Sequence, residues 1–298
     1  MTKIIITGAS GFVGHNLSGY LFDKGFGIQP LSLRVQSWKT KIIGNEQAII
    51  HLAGKAHDTK NTSNANEYFQ VNTQLTKELF DVFLKSDIKD FIYFSSVKAA
   101  ADTVENILTE EATPNPKTPY GQSKLQAEKY ILAAQLPQGK RVFIIRPCMI
   151  HGPSNKGNLN LLFSVVKKGI PYPLAAYQNK RSFLSIDNLC FAIEKILSKD
   201  IPSGIYQLAD DEALSTNDLI VLIGQSLSKK IKLWNVSKRL VNSLAKTGDV
   251  LRLPLNSERL KKLTENYVVS NDKIVKAIGE PFPVSAREGL VKTFNSFK

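Results

Sequence analysis

The sequence predicts an α/β protein: a doubly wound parallel sheet with a smaller, mainly helical C-terminal lobe. Three observations predict it. A short apolar run, Ile4-Ile5-Ile6, leads into the turn Thr7-Gly8-Ala9-Ser10-Gly11-Phe12-Val13-Gly14, and apolar helical spacing follows through Leu17 and Leu21. Apolar runs then alternate with helical patterns as far as Pro147, as the crossover units of a parallel sheet do. Beyond Gly152-Pro153 the alternation gives way to mainly helical spacing. Strand, glycine turn and helix in that order open a Rossmann-like dinucleotide-binding unit.

Each glycine of the turn has its own use. Gly8 turns the chain sharply, Gly11 lets backbone N–H groups approach a pyrophosphate, and Gly14 lets the helix pack closely on the strand. The anion then sits at a helix N-terminus, where unpaired N–H groups and the helix dipole both favour negative charge. Ser10, Phe12 and Val13 lie within the same turn and are expected to contact the cofactor.

The first strand is expected over 3–7 and its helix to about residue 24. A second strand is expected over 28–33. Many such folds end this strand in an acidic residue that binds the adenosine ribose. Here Ser32, Leu33 and Arg34 stand there, and a guanidinium suits a 2′-phosphate, so the cofactor, NAD(P)(H), leans to NADP(H). Only residues 35–47 separate this strand from Ala48-Ile49-Ile50-His51-Leu52. A full strand-and-crossover excursion takes about 30 residues. One strand is therefore expected to be trimmed and the adenine end loosely held. Leu52, Ala53 and Gly54 let the cofactor pass close to the next strand end.

A helix is expected over 67–85, with Asn72 facing the sheet end, then a buried strand over 91–95 followed by Ser96. Pro114, Pro116 and Pro119 mark a loop before a helix over 120–134, and a strand over 141–146 stops at Pro147. Further on, helices are expected over 159–168 and 187–197, strands over 181–187 and 204–208, largely helical structure from about 216, and an amphipathic segment at 272–278. The organisation expected is a cofactor domain over 1–152, to which 181–208 return, and a substrate lobe over 153–180 and 209–298.

Composition bounds the function. The 298 residues are 43% hydrophobic and 22% charged, which suits one large globular domain or two smaller ones. No apolar run approaches the ~18 residues of a membrane span, so no integral membrane contact is expected. The first strand begins too early for a signal peptide. The two cysteines, Cys148 and Cys190, lie in apolar surroundings without a CxxC. A disulfide framework is not expected, and a cytoplasmic location is. His15, His51, His57 and His151 have no metal-ligand spacing, so no metal is expected. The net charge is +13, and residues 221–298 hold fifteen Lys/Arg against six Asp/Glu. A solvated surface accounts for this; nucleic acid, an anionic membrane surface or a phosphate-bearing substrate are the sharper readings. No nucleic-acid motif is present and the basic residues are not interleaved with aromatics, so no nucleic acid is expected as a partner.

The reacting groups are read from Tyr120-Gly121-Gln122-Ser123-Lys124. Tyr120 and Lys124 are four apart, on one helix face. A phenol with an unperturbed pKa near 10 is a poor base at neutral pH, and a nearby ammonium is expected to lower it. Tyr120 could then take a proton from a substrate hydroxyl, with Ser96 orienting the same oxygen. A tyrosine and a lysine at this spacing are common on plain helix surfaces; the glycine turn and the strand-end serines give the pair its functional weight.

Together TGASGFVG, HLAG (51–54), FSS (94–96), YGQSK (120–124) and RPCMIHGP (146–153) resemble the extended short-chain dehydrogenase/reductase family, in its NAD-dependent epimerase/dehydratase branch. SSVK, NKGNLNLLFSVVKKGIPYPL and NKRSFLSIDNL look like bacterial enzymes of capsule and O-antigen synthesis that work at C4 of UDP-N-acetylhexosamines and their 4-keto-6-deoxy derivatives. The resemblance implies Ser96, Tyr120 and Lys124 as the catalytic triad, with Ser95 as the alternative serine and a cofactor contact. Pro147 is a further cofactor contact. Lys124 would also hold the nicotinamide ribose. Asn158 and Arg181 would meet the substrate diphosphate, with Arg259, Lys261 and Lys262 as further candidates. Relatives dimerise through the helix at 67–85 and the tyrosine helix, so a homodimer is an expectation. The dehydratases of the family carry Asp-Glu directly after the catalytic serine or threonine. Val97 and Lys98 stand there, which leaves 4-epimerase and 4-ketoreductase open ahead of 4,6-dehydratase. A non-catalytic dinucleotide-sensing scaffold on the same fold is the alternative of another class.

Overall fold

The structure is a computed structural model. It describes residues 1–55, 64–155, 157–251 and 256–298, with Lys262 described by its backbone alone. His57, Lys156 and the Lys262 side chain lie outside the described residues.

In chain order the elements are β1 (Lys3–Thr7), α1 (Phe12–Asp23), β2 (Gly27–Leu31), β3 (Ala48–His51), α2 (Ala65–Tyr68), α3 (Leu75–Lys85), β4 (Asp90–Phe94), β5 (Ile107–Leu108) and α4 (Pro119–Leu132). There follow β6 (Arg141–Pro147), β7 (Met149–His151), α5 (Asn158–Lys167), β8 (Phe183–Ser185), α6 (Ile186–Ser198), β9 (Gly204–Leu208) and α7 (Thr216–Ser226). The chain ends with α8 (Lys238–Leu251), α9 (Ser257–Thr264), β10 (Val268–Val269), α10 (Asp272–Ile278) and α11 (Ala286–Asn295).

Six strands form one parallel sheet in the order β2-β1-β3-β4-β6-β9. Successive residues of each strand face opposite sides, and both sides are buried. Ile4, Ile6, Ile50, Ile92, Phe143 and Ile145 pack with Leu17 and Leu21 of α1 and Leu189 and Ile193 of α6. Ile5, Ile49, Phe91 and Ile144 pack with Phe80 and Phe83 of α3 and Ile131 of α4. Helices on both faces make the sheet doubly wound.

The sheet ends on one side at β2. Pro30 lies in that strand, and an outer strand is where a residue without an N–H is tolerated. β2 is shorter than expected: it ends at Leu31, and Ser32 and Arg34 are exposed in the turn beyond it. The 35–47 segment carries a single 3₁₀ stretch, Gln36–Lys41, whose Trp38 is buried under the sheet.

Leu159, Phe163, Leu174, Leu219, Ile223, Val241, Leu260 and Phe294 form a separate cluster. We retain the two-part organisation as a proposal, with one amendment. Tyr267, Val269, Ile274 and Ile278 pack with the sheet-side core, so this stretch of 209–298 is not part of the lobe core. The strand expected over 181–187 is also shorter. Ser185 ends it by accepting from Asp187 N–H and capping α6, and β8 pairs with β7 rather than joining the main sheet.

Candidate active site

The carboxyl end of β1 runs into the glycine turn. Gly8 has φ +71, a left-handed conformation that favours glycine. A Cβ on Gly14 would fall 2.3 Å from Gly8 O, so only glycine allows this approach of α1. Gly11 N–H donates to Gly8 O at 3.0 Å and Gly11 caps α1 without a side chain. Ser10 is exposed, and Phe12 and Val13 are half-buried at the first turn of α1. The cradle therefore fits a pyrophosphate: close-packed glycines, no obstructing side chain and a helix N-terminus.

A buried chain of hydrogen bonds ties this turn to the next strand and helix. Ala53 N–H donates to Thr7 Oγ1 at 3.1 Å. Thr7 Oγ1 lies 2.7 Å from His51 Nδ1, and His51 Nε2 lies 2.9 Å from Thr76 Oγ1. Thr76 Oγ1 donates to Asn72 O at 2.8 Å, so it must accept from Nε2–H. His51 is therefore the Nε2–H tautomer and takes the Thr7 proton at Nδ1. Burial pushes its pKa down to about 3, with Lys124 acting in the same direction, so the ring is neutral.

Asn72 sits in a π-helical turn, Phe69–Gln74, between α2 and α3. Such turns recur at functional sites. Its Oδ1 accepts Lys55 N–H at 2.7 Å, and its Nδ2 donates to Lys55 O and Ser123 Oγ, both at 3.1 Å. Asn72 faces the sheet end as expected. Both ends of its amide are engaged, so it braces the Gly54–Lys55 backbone against α4. A Cβ on Gly54 would meet Asn72 Oδ1 at 3.0 Å and Lys124 Nζ at 3.2 Å, which places Gly54, Asn72 and Lys124 together. Leu52 and Ala53 are half-buried beside them, and Pro147 is buried at the end of β6.

The candidate reacting groups converge at the end of β4 and the start of α4. Thr118 caps α4 by accepting from Gly121 N–H, and Pro119 occupies the first turn, both strong helix-start signals. Asp102 fixes this cap by accepting from Thr118 Oγ1 at 3.1 Å. A Cβ on Gly121 would fall 2.4 Å from Lys98 O, so glycine lets the start of α4 approach the turn after Ser96. Ser96 caps that turn, Val97–Ala99, and accepts from Lys98 N–H at 3.2 Å. Tyr120 is hydrogen-bonded to Ser96. Lys124 Nζ donates to Phe94 O at 2.8 Å and lies 5.0 Å from the Tyr93 ring centroid.

The expected lowering of the Tyr120 pKa by Lys124 is corrected here. Burial raises the Tyr120 pKa above 10 and the neighbouring Tyr68 raises it further; the Ser96 hydrogen bond pulls it down. Lys124 gives one of its N–H groups to Phe94 O, and burial pushes its own pKa down to about 8, against the Glu128 charge. A cationic nicotinamide, when bound, would favour the phenolate.

Ser95 has a different partner. Its hydroxyl donates to Glu128 Oε1. Glu128 in turn takes Arg146 Nε at 3.0 Å, and both side chains of the pair are 1% exposed. Glu128 and Asp102 escaped the sequence reading. Glu128 lies four residues beyond Lys124, and that spacing was its available signal; the pairing with Arg146 of β6 needs the fold.

Of the remaining candidates, Arg34 lies in the exposed turn after β2, on the glycine-turn side of the sheet. Asn158 is exposed at the first turn of α5. Arg181 Nη2 lies 3.9 Å from Glu265 Oε1, and its charge reaches Lys98, Tyr267 and Cys148, which puts it beside the turn after Ser96. Arg259 and Lys261 are exposed on α9. Lys98 Nζ donates to Asp102 O at 2.7 Å and lies 4.1 Å from the Tyr267 ring centroid.

Residues 4–209 match the model of the NAD dependent epimerase/dehydratase family. The chain belongs to that family, a branch of the extended short-chain dehydrogenases/reductases. It is 27% identical to a UDP-glucose 4-epimerase of Vibrio cholerae, over 99% of this chain and 95% of that one. It is also 27% identical to the N-acetyl-α-D-glucosaminyl-diphospho-ditrans,octacis-undecaprenol 4-epimerase of Escherichia coli O157:H7, over 98% and 94%. The fold is shared with RMD of Pseudomonas aeruginosa, solved with NADPH, at TM-score 0.76 and 20% identity over 100% and 99% of the two chains.

Proposed function

We propose that the chain is an NAD(P)-dependent enzyme acting at C4 of a diphosphate-activated sugar. A UDP-N-acetylhexosamine or its 4-keto-6-deoxy form is the favoured substrate, in capsule or O-antigen synthesis, and the reaction is 4-epimerisation or 4-keto reduction. The observation that carries the reading is the pairing of Ser96 with Tyr120 one helical turn before Lys124, whose Nζ lies against Gly54.

In this reading Gly8, Ser10, Gly11, Phe12, Val13 and Gly14 hold the pyrophosphate, and Leu52, Ala53, Gly54 and Pro147 line the path to the nicotinamide. The dinucleotide supplies the hydride acceptor or donor. Tyr120 Oη accepts the proton of the C4 hydroxyl as the carbon is oxidised and returns it on reduction. Ser96 Oγ orients the same oxygen. Lys124 holds the nicotinamide ribose, and Ser95 and Asn72 support these groups from behind. Asn158 and Arg181 receive the diphosphate; a guanidinium matches phosphate geometry in a bidentate manner. Arg34, on the trimmed side of the sheet, favours NADP(H).

Dehydration is disfavoured because Lys98 and Val97 follow the serine and neither offers a carboxylic acid. The Escherichia coli relative acts on a sugar joined through diphosphate to a polyprenol, so the diphosphate is the handle common to both relatives' substrates. The testing experiment identifies the nucleotide that copurifies and then assays two reactions. Tightly held NAD with epimerisation of a UDP-hexosamine supports the epimerase. NADPH consumption with a UDP-4-keto-6-deoxy sugar supports the reductase. Absence of both across a panel of sugars would leave the non-catalytic sensor.

A further inference from the structure

The C-terminal lobe carries a surface that the reaction does not use. Residues 226–248 hold six Lys/Arg and no Asp or Glu. Within the same stretch Trp234 is 52% exposed, Leu240 and Leu244 are each 53% exposed, and Leu233 is 38% exposed. Scattered apolar residues on a surface are ordinary; these four fall within residues 233–244, on two pieces of chain that are both tied to the 172–177 segment.

The segment before α8 is clamped beside 172–175: Trp234 N–H donates to Tyr172 O at 2.9 Å and Ala175 N–H to Trp234 O at 3.3 Å. Tyr177 Oη lies 3.1 Å from Asn242 Oδ1, which ties α8 to the same chain segment. Val241 and Ala245 bury the inner face of α8, while Leu240 and Leu244, one turn apart, share an outward face. Lys230, Lys232, Arg239 and Lys246 are exposed around them.

We infer that this face docks the protein on an anionic phospholipid bilayer. The argument is charge complementarity joined to apolar reach. An acid-free basic stretch is attracted to an anionic surface, with about a fivefold gain in binding per Lys or Arg. Leucines on one helix face and an exposed tryptophan are what enters the interfacial region once contact is made. No helix among the described residues is long and apolar enough to cross a membrane, so the contact is peripheral.

The chain supplies its own probe. Its two tryptophans are Trp38, 3% exposed under the sheet, and Trp234, so a change in emission on docking reports on the patch. The full-length protein is mixed with vesicles of 70% phosphatidylcholine and 30% phosphatidylglycerol, and with phosphatidylcholine vesicles alone. Co-sedimentation and a blue shift are expected with the first and not with the second, and both weaken at high salt. Lys230→Ala/Lys232→Ala is expected to lose about 25-fold in vesicle affinity, and Leu240→Ser/Leu244→Ser to abolish the blue shift.

Three results would overturn the inference: no binding to the anionic vesicles, undiminished binding by the leucine variant, or a dimer that Leu240→Ser/Leu244→Ser dissociates, which would assign the face to a second copy. Circular dichroism and turnover of a soluble substrate by the variants separate docking from misfolding. Because turnover is read independently, failure of docking and failure of the proposed reaction are distinguishable.

Discussion

The Ser95 hydroxyl donates to the Glu128 carboxylate, while its neighbour Ser96 is the serine bonded to Tyr120. Two adjacent serines at one strand end thus face different tasks. Ser96→Ala is expected to lower kcat about a hundredfold or more and, because Ser96 also caps the 97–99 turn, to cost about 1 kcal/mol of stability. Ser95→Ala should keep most of kcat but leave a buried carboxylate oxygen short of a donor, costing about 1–3 kcal/mol. Steady-state kinetics and denaturant midpoints on both variants decide. A larger kcat loss in Ser95→Ala would exchange the two roles.

Tyr120→Phe removes the proposed proton acceptor and leaves the half-buried ring against Tyr68. Turnover is expected to fall by about 10²- to 10⁴-fold, with dinucleotide affinity nearly unchanged. Fluorescence titration with NAD(P)H beside a turnover assay tests it. Comparable turnover would remove Tyr120 from the mechanism.

Lys124 links acidity to stability. Its pKa is about 8 in the folded protein against an ordinary 10.5, so between these values the unfolded chain binds more protons and stability rises with pH. Below about 8 both states are protonated and the full cost of burying the charge, about 3 kcal/mol, is present. Lys124→Met is expected to flatten the stability change between about pH 8 and 10.5, read by urea unfolding across that window. An unchanged slope would show that another group titrates there.

Arg34→Ala tests the cofactor lean. Loss of the guanidinium is expected to weaken NADPH about tenfold, as losing a charge-assisted contact does, and to leave NADH nearly unaffected. Equal weakening of both, measured by titration, would end the preference for NADP(H).

The fold was legible because parallel strands buried on both faces read as continuous apolar runs, as the centres of β1, β3, β4 and β6 do. The glycine turn and the Tyr120–Lys124 spacing were legible because each is local. β2 was misjudged at its end, since an outer strand with Pro30 is paired on one side only, with β1, and ends where that pairing ends at Thr7–Leu31. The β7–β8 ladder joins segments more than thirty residues apart and has no local signature. The Tyr120 pKa was misjudged for a related reason: spacing gives the nearness of an ammonium but not its burial or its bond to Phe94 O. Glu128, Asp102 and the His51 chain are likewise products of topology.

The hydrogen bonds through His51 run in one sense, from Ala53 N–H to Asn72 O, and the ring at their centre stays uncharged down to about pH 3. The join between the glycine turn and the helix bearing Thr76 therefore keeps its protonation pattern from neutral pH down to about pH 3. A response of turnover to pH is therefore sought at Tyr120, Lys124 or the substrate rather than at this histidine.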